Sequence, residues 1–152
     1  MKRTLAQFAT ACAGRLAGAD AQFAEVVIDS RQVRAGDLFL ALPGAHADGH
    51  DFVAAAAQAG AAGVLVPMVN TKAEAELAVR MTRYPPMGYR GVGLARAQGY
   101  GEQFDEYVKH ANDDTLLLVQ IEHKDAVANI EEILSVPGTD GTFIGPYDLS
   151  MS

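Results

Sequence analysis

The chain lacks tryptophan altogether and contains a single cysteine, Cys12, among its 152 residues. One cysteine excludes an internal disulfide and suits a reducing compartment, so we expect a cytoplasmic location. No apolar run approaches the roughly 20 residues that a membrane-spanning helix needs, and no apolar leader follows the first residues, so we expect neither a membrane protein nor a signal peptide. Basic residues are scarce, with 12 against 19 acidic ones. The net charge of −7 excludes the basic surface that nucleic-acid binding requires.

What the chain does contain is typical of a globular protein of one domain. It is 49% hydrophobic and 20% charged, with a mean hydropathy of +0.05, and its length is close to the roughly 150 residues of an average domain. The charge is uneven: residues 1–66 carry a net −1 and residues 67–152 a net −6. This step divides the chain into two halves that differ in their motifs as well.

Short apolar segments alternate with amphipathic ones along most of the sequence, which is typical of βαβ units and a parallel sheet. The predicted strands are 25–29, 37–42, 63–69, 90–94, 115–122 and 141–144. The predicted helices are 5–13, 51–59, 71–83, 101–110 and 124–134. We therefore predict an α/β fold with an open, mainly parallel three-layer sheet of five or six strands and flanking helices.

Two loops in the first half carry polar residues that can bind an anion or a sugar. Asp29, Ser30 and Arg31 follow a predicted strand and offer a carboxylate, a hydroxyl and a guanidinium. Gly49, His50 and Asp51 lie at the N-terminus of the helix predicted at 51–59, where free backbone N–H groups favour anions. The alternative is that Asp29 is a turn residue and Arg31 a solvated charge.

The order of motifs in this half resembles the N-terminal domain of Mur ligases, most closely the MurF type. The motifs are DSR at 29–31, GDLF at 36–39, DGHDF at 48–52 and AAAQAGAAGVLV at 55–66. In that family this domain binds the uridine-nucleotide end of a UDP-MurNAc substrate. The resemblance implies a nucleotide-binding role for Asp29, Ser30, Arg31, Asp48, Gly49 and His50.

Cofactor motifs for nucleotides are missing. No lysine follows a glycine, so the phosphate-binding loop of an ATP site is absent and we expect no ligase activity. The lone Gly-x-Gly at 91–93 lacks a third glycine, so we expect no NAD site.

In the second half, two carboxylates follow neighbouring predicted strands. Glu122 ends the strand at 115–122, and Asp148 comes just after the strand at 141–144. Parallel strands present their carboxyl ends at one edge, about 4.8 Å apart, so both side chains can reach one hard cation such as Mg²⁺. Gln120 lies two residues before Glu122 and shares its face. The alternative is that both carboxylates merely cap helices.

The motifs of this half resemble the HpcH/HpaI aldolases, which are metal-dependent class II enzymes with a TIM barrel. They are LVPMVNT at 65–71, RYPPMGYRGVG at 83–93, VQIE at 119–122 and FIGPYDLS at 143–150. The resemblance implies that Glu122 and Asp148 hold a divalent metal (Mg²⁺, Mn²⁺ or Co²⁺) and that Gln120 lies on the substrate side. It also implies cleavage of 4-hydroxy-2-oxo acids to pyruvate and an aldehyde.

The match to the aldolases is incomplete. The family's histidine base and its pyruvate-binding arginine belong to earlier strands that have no counterpart here. His50 is part of the Mur-like motifs, and His123 should point away from Glu122 as a surface residue. We therefore expect no complete catalytic set.

Together these patterns suggest a chimera of laboratory or recombination origin. Residues 1–66 would form a Mur-like segment and residues 67–152 a partial aldolase barrel, in one folded unit without complete activity. A residual aldolase acting on a 2-oxo acid and a binding module for a UDP-sugar are the alternatives. The strands are too few to close a barrel, so open sheet edges favour self-association.

Overall fold

The computed structural model describes residues 3–11, 20, 22–43 and 47–152. The chain opens with a short antiparallel pair, β1 (Arg3–Thr4) and β2 (Gln22–Phe23), on either side of helix α1 (Leu5–Ala11). Cys12 and the predicted end of the first helix at 12–13 lie outside the described residues.

A five-stranded sheet, parallel throughout, forms the centre of the molecule. Its strands are β3 (Val26–Val27), β4 (Leu38–Leu40), β5 (Gly63–Val66), β6 (Leu116–Ile121) and β7 (Gly141–Ile144). They lie in the sheet in the same order as in the chain. Because parallel crossovers are right-handed, an order that never reverses places the connecting helices on one face, as in a barrel.

The helices on that face pack against a single apolar core. They are α2 (Val53–Gln58), α3 (Lys72–Thr82), α5 (Lys124–Ala128) and α6 (Ile130–Leu134). Helix α4 (Phe104–Asp114) precedes β6 and buries Ala111 outside this core. Phe39, Val64 and Leu117 from successive strands are fully buried in this core together with alanines of α2 and α3. The last helix, α7 (Pro146–Met151), follows β7. None of the helices in the described ranges is long and apolar enough to cross a membrane.

The opposite face of the sheet has a separate, smaller core. Leu40, Leu65 and Leu118 lie at neighbouring register positions on this face. They pack in one cluster with Leu38, with Leu5 of α1 and with Phe23 of β2. The N-terminal segment therefore supplies a third layer on the side that would be the interior of a closed barrel. The prediction of an open parallel sheet of five or six strands with flanking helices is confirmed, with five strands.

The predicted strand at 90–94 is wrong, because these residues have no regular structure. Both edges of β5, the preceding strand, are already paired with β4 and β6, so no sheet position is open beside it. Arg90 turns inward instead. It is 1% exposed, its guanidinium lies 4.4 Å from the centre of the Tyr84 ring, and it donates to the Tyr107 hydroxyl at 2.8 Å. The segment thus anchors the long connection between α3 and α4.

Three helices differ from their predicted bounds by two residues or more. Helix α2 begins at Val53 rather than 51, after a 3-10 turn at Gly49–Phe52. Helix α4 begins at 104 rather than 101, because Tyr100 and Gly101 adopt φ values of 54° and 107° that end a short 3-10 segment at Arg96–Gly101. The helix predicted at 124–134 is split at Asn129, whose side-chain amide donates to the Asn70 carbonyl at 2.8 Å. Helix α3, predicted at 71–83, is within one residue of its predicted bounds, and Thr71 caps it with Glu74 completing a capping box.

Candidate active site

The predicted acidic residues of the second half meet at the carboxyl edge of the sheet, where parallel α/β folds bind ligands. Glu122 directly follows β6, and Asp148 lies in the first turn of α7, just after β7. Leu118, Gln120 and Glu122 alternate onto one face, so both polar side chains lie at the carboxyl end of the smaller core. The structure therefore brings Gln120, Glu122 and Asp148 together, as the sequence predicts.

Glu122 is the buried centre of this group, with 5% of its surface exposed. Its Oε1 accepts the Met68 N–H at 2.8 Å, and its Oε2 accepts the Gln120 side-chain amide at 2.7 Å. Burial raises the pKa of Glu122, and Asp148 raises it further through its charge and a direct hydrogen bond, against the opposing effects of the Met68 bond and the His50 charge. The two carboxyl groups thus share a site that favours one proton or one cation.

Gly145 allows the two strand ends to approach each other. A Cβ atom at this position would lie 2.8 Å from the Gln120 amide nitrogen and 2.8 Å from the Glu122 Cβ. Its N–H donates to the Ile121 carbonyl at 3.0 Å, which holds the start of α7 against the end of β6. Only a residue without a side chain fits here without displacing the acidic pair.

The donor set fits a hard divalent cation. In the described part of the chain, no three or more His, Cys, Asp or Glu side chains come together as metal ligands. The site at Glu122 and Asp148 therefore offers two protein ligands. A cation bound by Glu122 and Asp148 would take its other ligands from water and from substrate oxygens, as Mg²⁺ commonly does. The raised pKa of Glu122 agrees with this assignment, since a bound cation removes the repulsion between the carboxylates.

The alternative that Glu122 caps the following helix is wrong. His123 is the N-cap of α5, and its Nδ1 accepts the Asp125 N–H at 3.2 Å. This leaves Glu122 free to point into the site. His123 is half-buried at the surface, where it also lies 3.3 Å from the Asp125 carboxylate.

Sequence reasoning missed two contributors to this site, Met68 and His50. Met68 contributes only its backbone N–H, which has no signature in residue type. His50 comes from the Mur-like motif, but its Nε2 lies 3.0 Å from the Pro67 carbonyl oxygen, and its charge acts on Glu122. The signal that could have found it is the position of the DGHDF motif after a strand of the same sheet.

The remaining residues of the Mur-like motifs form a different surface. Asp29 caps the 3-10 turn Ser30–Gln32 and holds the Arg31 guanidinium through two bonds of 2.9 Å, so its predicted role as a turn residue is confirmed. These contacts hold the pKa of Asp29 well below its usual range. The DSR loop and Gly49 border one cavity of about 810 Å³. Asp48 and His50 line a different cavity, of about 310 Å³, between α2 and α3.

Curated relatives match about 60% of the chain closely. A 4-hydroxy-2-oxo-heptane-1,7-dioate aldolase of Klebsiella pneumoniae is 55% identical over 93 residues, covering 60% of this chain. A hydroxypyruvate/pyruvate aldolase of Roseobacter denitrificans is 54% identical over 95 residues, covering 61%. A 2-keto-3-deoxy-L-rhamnonate aldolase of Salmonella newport is 52% identical over 95 residues and also covers 61%. The chain spans 35–37% of the length of these relatives.

Solved structures show the same relationship in three dimensions. An HpcH/HpaI aldolase from Desulfitobacterium hafniense superposes with a TM-score of 0.63 at 34% identity, covering 76% of this chain and 43% of that one. An HpcH/HpaI aldolase/citrate lyase family protein from Burkholderia cenocepacia gives a TM-score of 0.67 at 35% identity, covering 76% and 45%. The five-stranded sheet thus has the arrangement of part of such a barrel.

The family relationship extends beyond the region where the sequence motifs suggest it. The model of the HpcH/HpaI aldolase/citrate lyase family matches residues 42–152, and so begins upstream of residue 65, where the first aldolase-like motif starts. The resemblance of residues 1–66 to Mur ligases stays a prediction. Because the match covers well over half of its residues, the chain belongs to the HpcH/HpaI aldolase/citrate lyase family.

Proposed function

We propose that Glu122 and Asp148 bind a divalent cation and that the surrounding sheet edge binds a 2-oxo acid for metal-dependent aldol cleavage. The observation that carries this proposal is that Glu122, which is almost fully buried, and Asp148 converge at the carboxyl edge of the sheet, near enough for Asp148 to raise the pKa of Glu122. The curated relatives are named as aldolases. A 4-hydroxy-2-oxo acid, cleaved to pyruvate and an aldehyde, is the corresponding substrate class.

Each residue of the chain has a distinct task in this proposal. When bound, a divalent cation supplies Lewis-acid polarisation of a 2-oxo group. Gln120 orients one oxygen of Glu122 through its side-chain amide, and the Met68 N–H orients the other. Asp148 supplies the second carboxylate from α7.

Turnover is expected to be slow. No residue matches the family's histidine base or its arginine for the substrate carboxylate, and a positioned base contributes about 10²–10⁴-fold to such a reaction. The hypothesis of a chimera without complete activity rests on the same missing residues and stays a prediction. Binding of the cation is therefore the sharper test of the site, and product release the test of the reaction.

Two measurements test the proposal. Titration with Mn²⁺ by calorimetry should show one site that disappears in Glu122→Ala and Asp148→Ala. It should persist in Glu132→Gln, which removes an exposed carboxylate elsewhere. Pyruvate release from a 4-hydroxy-2-oxo acid, with Mg²⁺, Mn²⁺ and Co²⁺ supplied in turn, should depend on the same two residues. Metal-independent release, or binding that survives both substitutions, would overturn the assignment.

Binding of a UDP-sugar is the second candidate. The observation that favours it is that the DSR loop and Gly49, predicted separately, border one cavity of about 810 Å³ with apolar walls that include Ile28 and Phe52. Titration with UDP-MurNAc should shift the NMR resonances near Ser30, and Arg31→Ala should weaken the effect while Arg34→Ala leaves it intact. If no resonance near Ser30 moves, this second function is wrong.

A further inference from the structure

A single peptide group joins the DGHDF motif to the acidic site. The carbonyl oxygen of Pro67 lies 3.0 Å from the His50 Nε2, and the N–H of the same peptide, on Met68, donates to the Glu122 Oε1 at 2.8 Å. A donor at the carbonyl polarises a peptide and strengthens its N–H as a donor. The two bonds are therefore coupled through the peptide that they share.

The protonation of His50 follows from its partners. Its Nδ1 lies 2.5 Å from the Asp48 carboxylate, and its Nε2 faces a carbonyl oxygen. Both partners can only accept hydrogen bonds, so both ring nitrogens must carry protons and the ring is an imidazolium. Burial opposes this charge, but the bonds to Pro67 and Asp48 outweigh it and raise the pKa of His50. A ring without a free lone pair is not a base here; it is a fixed donor.

The backbone of Met68 shows that this peptide is held in place. Met68 adopts a φ of 53°, which a residue with a side chain seldom takes. Its own side chain is 42% exposed, so burial of that side chain does not account for the conformation. Strained backbone persists where surrounding contacts determine it, and the two bonds of the Pro67–Met68 peptide are such contacts.

We propose that Asp48 and His50 are positioning residues that orient Glu122 through the Pro67–Met68 peptide. The inference rests on the proposed function, in which Glu122 holds the cation. Asp48 fixes the ring, the ring fixes the carbonyl, and the peptide N–H fixes one carboxylate oxygen. The Gln120 amide at 2.7 Å fixes the other oxygen. The loop that contains Asp48 and His50 thus determines the orientation of the Glu122 carboxylate, which follows β6.

The first test needs no metal. In the metal-free protein, the amide proton of Met68 should resonate downfield, because it donates to a buried carboxyl group. His50→Leu, which removes the donor to Pro67, should shift this resonance upfield, and His50→Gln, which keeps a donor, should restore most of it. His110→Leu, at an exposed histidine of α4, is the matched control. Asp48→Asn keeps the cap of the following turn and removes only the charge, so it serves if His50→Leu does not fold.

The second test measures the consequence for the cation. The dissociation constant for Mn²⁺ should rise about tenfold in His50→Leu, less in Asp48→Asn and in His50→Gln, and stay near the wild-type value in His110→Leu. Rescue by glutamine separates positioning from a general loss of structure. If His50→Leu leaves the Met68 resonance and the Mn²⁺ affinity at their wild-type values, the inference is overturned. If the wild-type protein binds no Mn²⁺, the proposed function fails, and the Met68 resonance alone decides the coupling.

Discussion

Arg83 ties the ends of two strands together on the side of the sheet opposite the candidate site. It is 2% exposed and ends α3, and its Nη1 donates to the Thr115 carbonyl just before β6. Its Nη2 donates to the Gly138 carbonyl at 3.0 Å and to the Asp140 carboxylate at 2.8 Å, just before β7. Replacing Arg83 with methionine removes these bonds while keeping a side chain of similar length.

The expected loss of stability is about 2–3 kcal/mol. The buried Thr115 carbonyl loses its partner, which costs about 1–3 kcal/mol, and the Gly138 bond adds roughly 1 kcal/mol. Asp140 is 37% exposed and still accepts the Leu117 N–H at 2.7 Å, so loss of its ion pair adds at most about 1 kcal/mol. Relief from burying the guanidinium, whose Nε has no partner, offsets part of the sum.

Urea denaturation followed by circular dichroism measures this loss. With a slope of about 1–3 kcal/mol per M, the midpoint should fall by about 0.7–3 M, and that of Arg83→Lys, which keeps one donor nitrogen, should fall less. The Mn²⁺ affinity of the folded variant should stay unchanged, because Arg83 lies at the other edge of the sheet. A midpoint within about 0.3 M of wild type, or a matching loss of Mn²⁺ affinity, would refute this account.

Three further perturbations have defined outcomes. Gly145→Ala places a Cβ 2.8 Å from the Gln120 amide, so the Mn²⁺ affinity should fall about tenfold by calorimetry; an unchanged affinity would show that the neighbours yield freely. The raised pKa of Glu122 means that metal-free protein is stabilised below the ordinary carboxyl range and loses that stability as pH rises through the folded pKa. Near neutral pH, Glu122→Gln should therefore have a higher melting temperature than the wild type, and at about pH 4 the two melting temperatures should be equal. A difference that does not change with pH would contradict this. Tyr147 and Met151, each 87% exposed on α7, should support self-association, so Tyr147→Lys should lower the mass measured by light scattering; a wild-type monomer at micromolar concentration counts against it.

The sequence predicted much of the sheet and the acidic part of the site, for identifiable reasons. Strand β7 has the predicted bounds, because its apolar segment stands between a glycine at each end. Gln120 and Glu122 share a face because side chains alternate along a strand. The order of the segments along the chain and the alternation of side chains along a strand depend only on nearby residues, so the sequence alone can predict them.

The contacts that complete the site depend on the fold and are not local. Met68 and Glu122 are 54 positions apart and meet through a backbone N–H, which every residue but proline has. The strand predicted at 90–94 failed for a related reason: its apolar residues fit a strand, but the sheet has no free edge beside β5. Whether a segment finds a partner depends on segments far away in the chain.

The strands of the sheet lie in the same order as in the chain, so a cut between two consecutive strands separates only one strand pairing. Each strand is paired only with the strands before and after it in the sequence, so a cut between β4 and β5 separates one ladder of three residue pairs and no other. A doubly wound sheet, whose strand order reverses, would have to break and remake interior pairings. Two fragments joined at this seam therefore have to match each other in one ladder only, which is the least demanding strand arrangement for recombination.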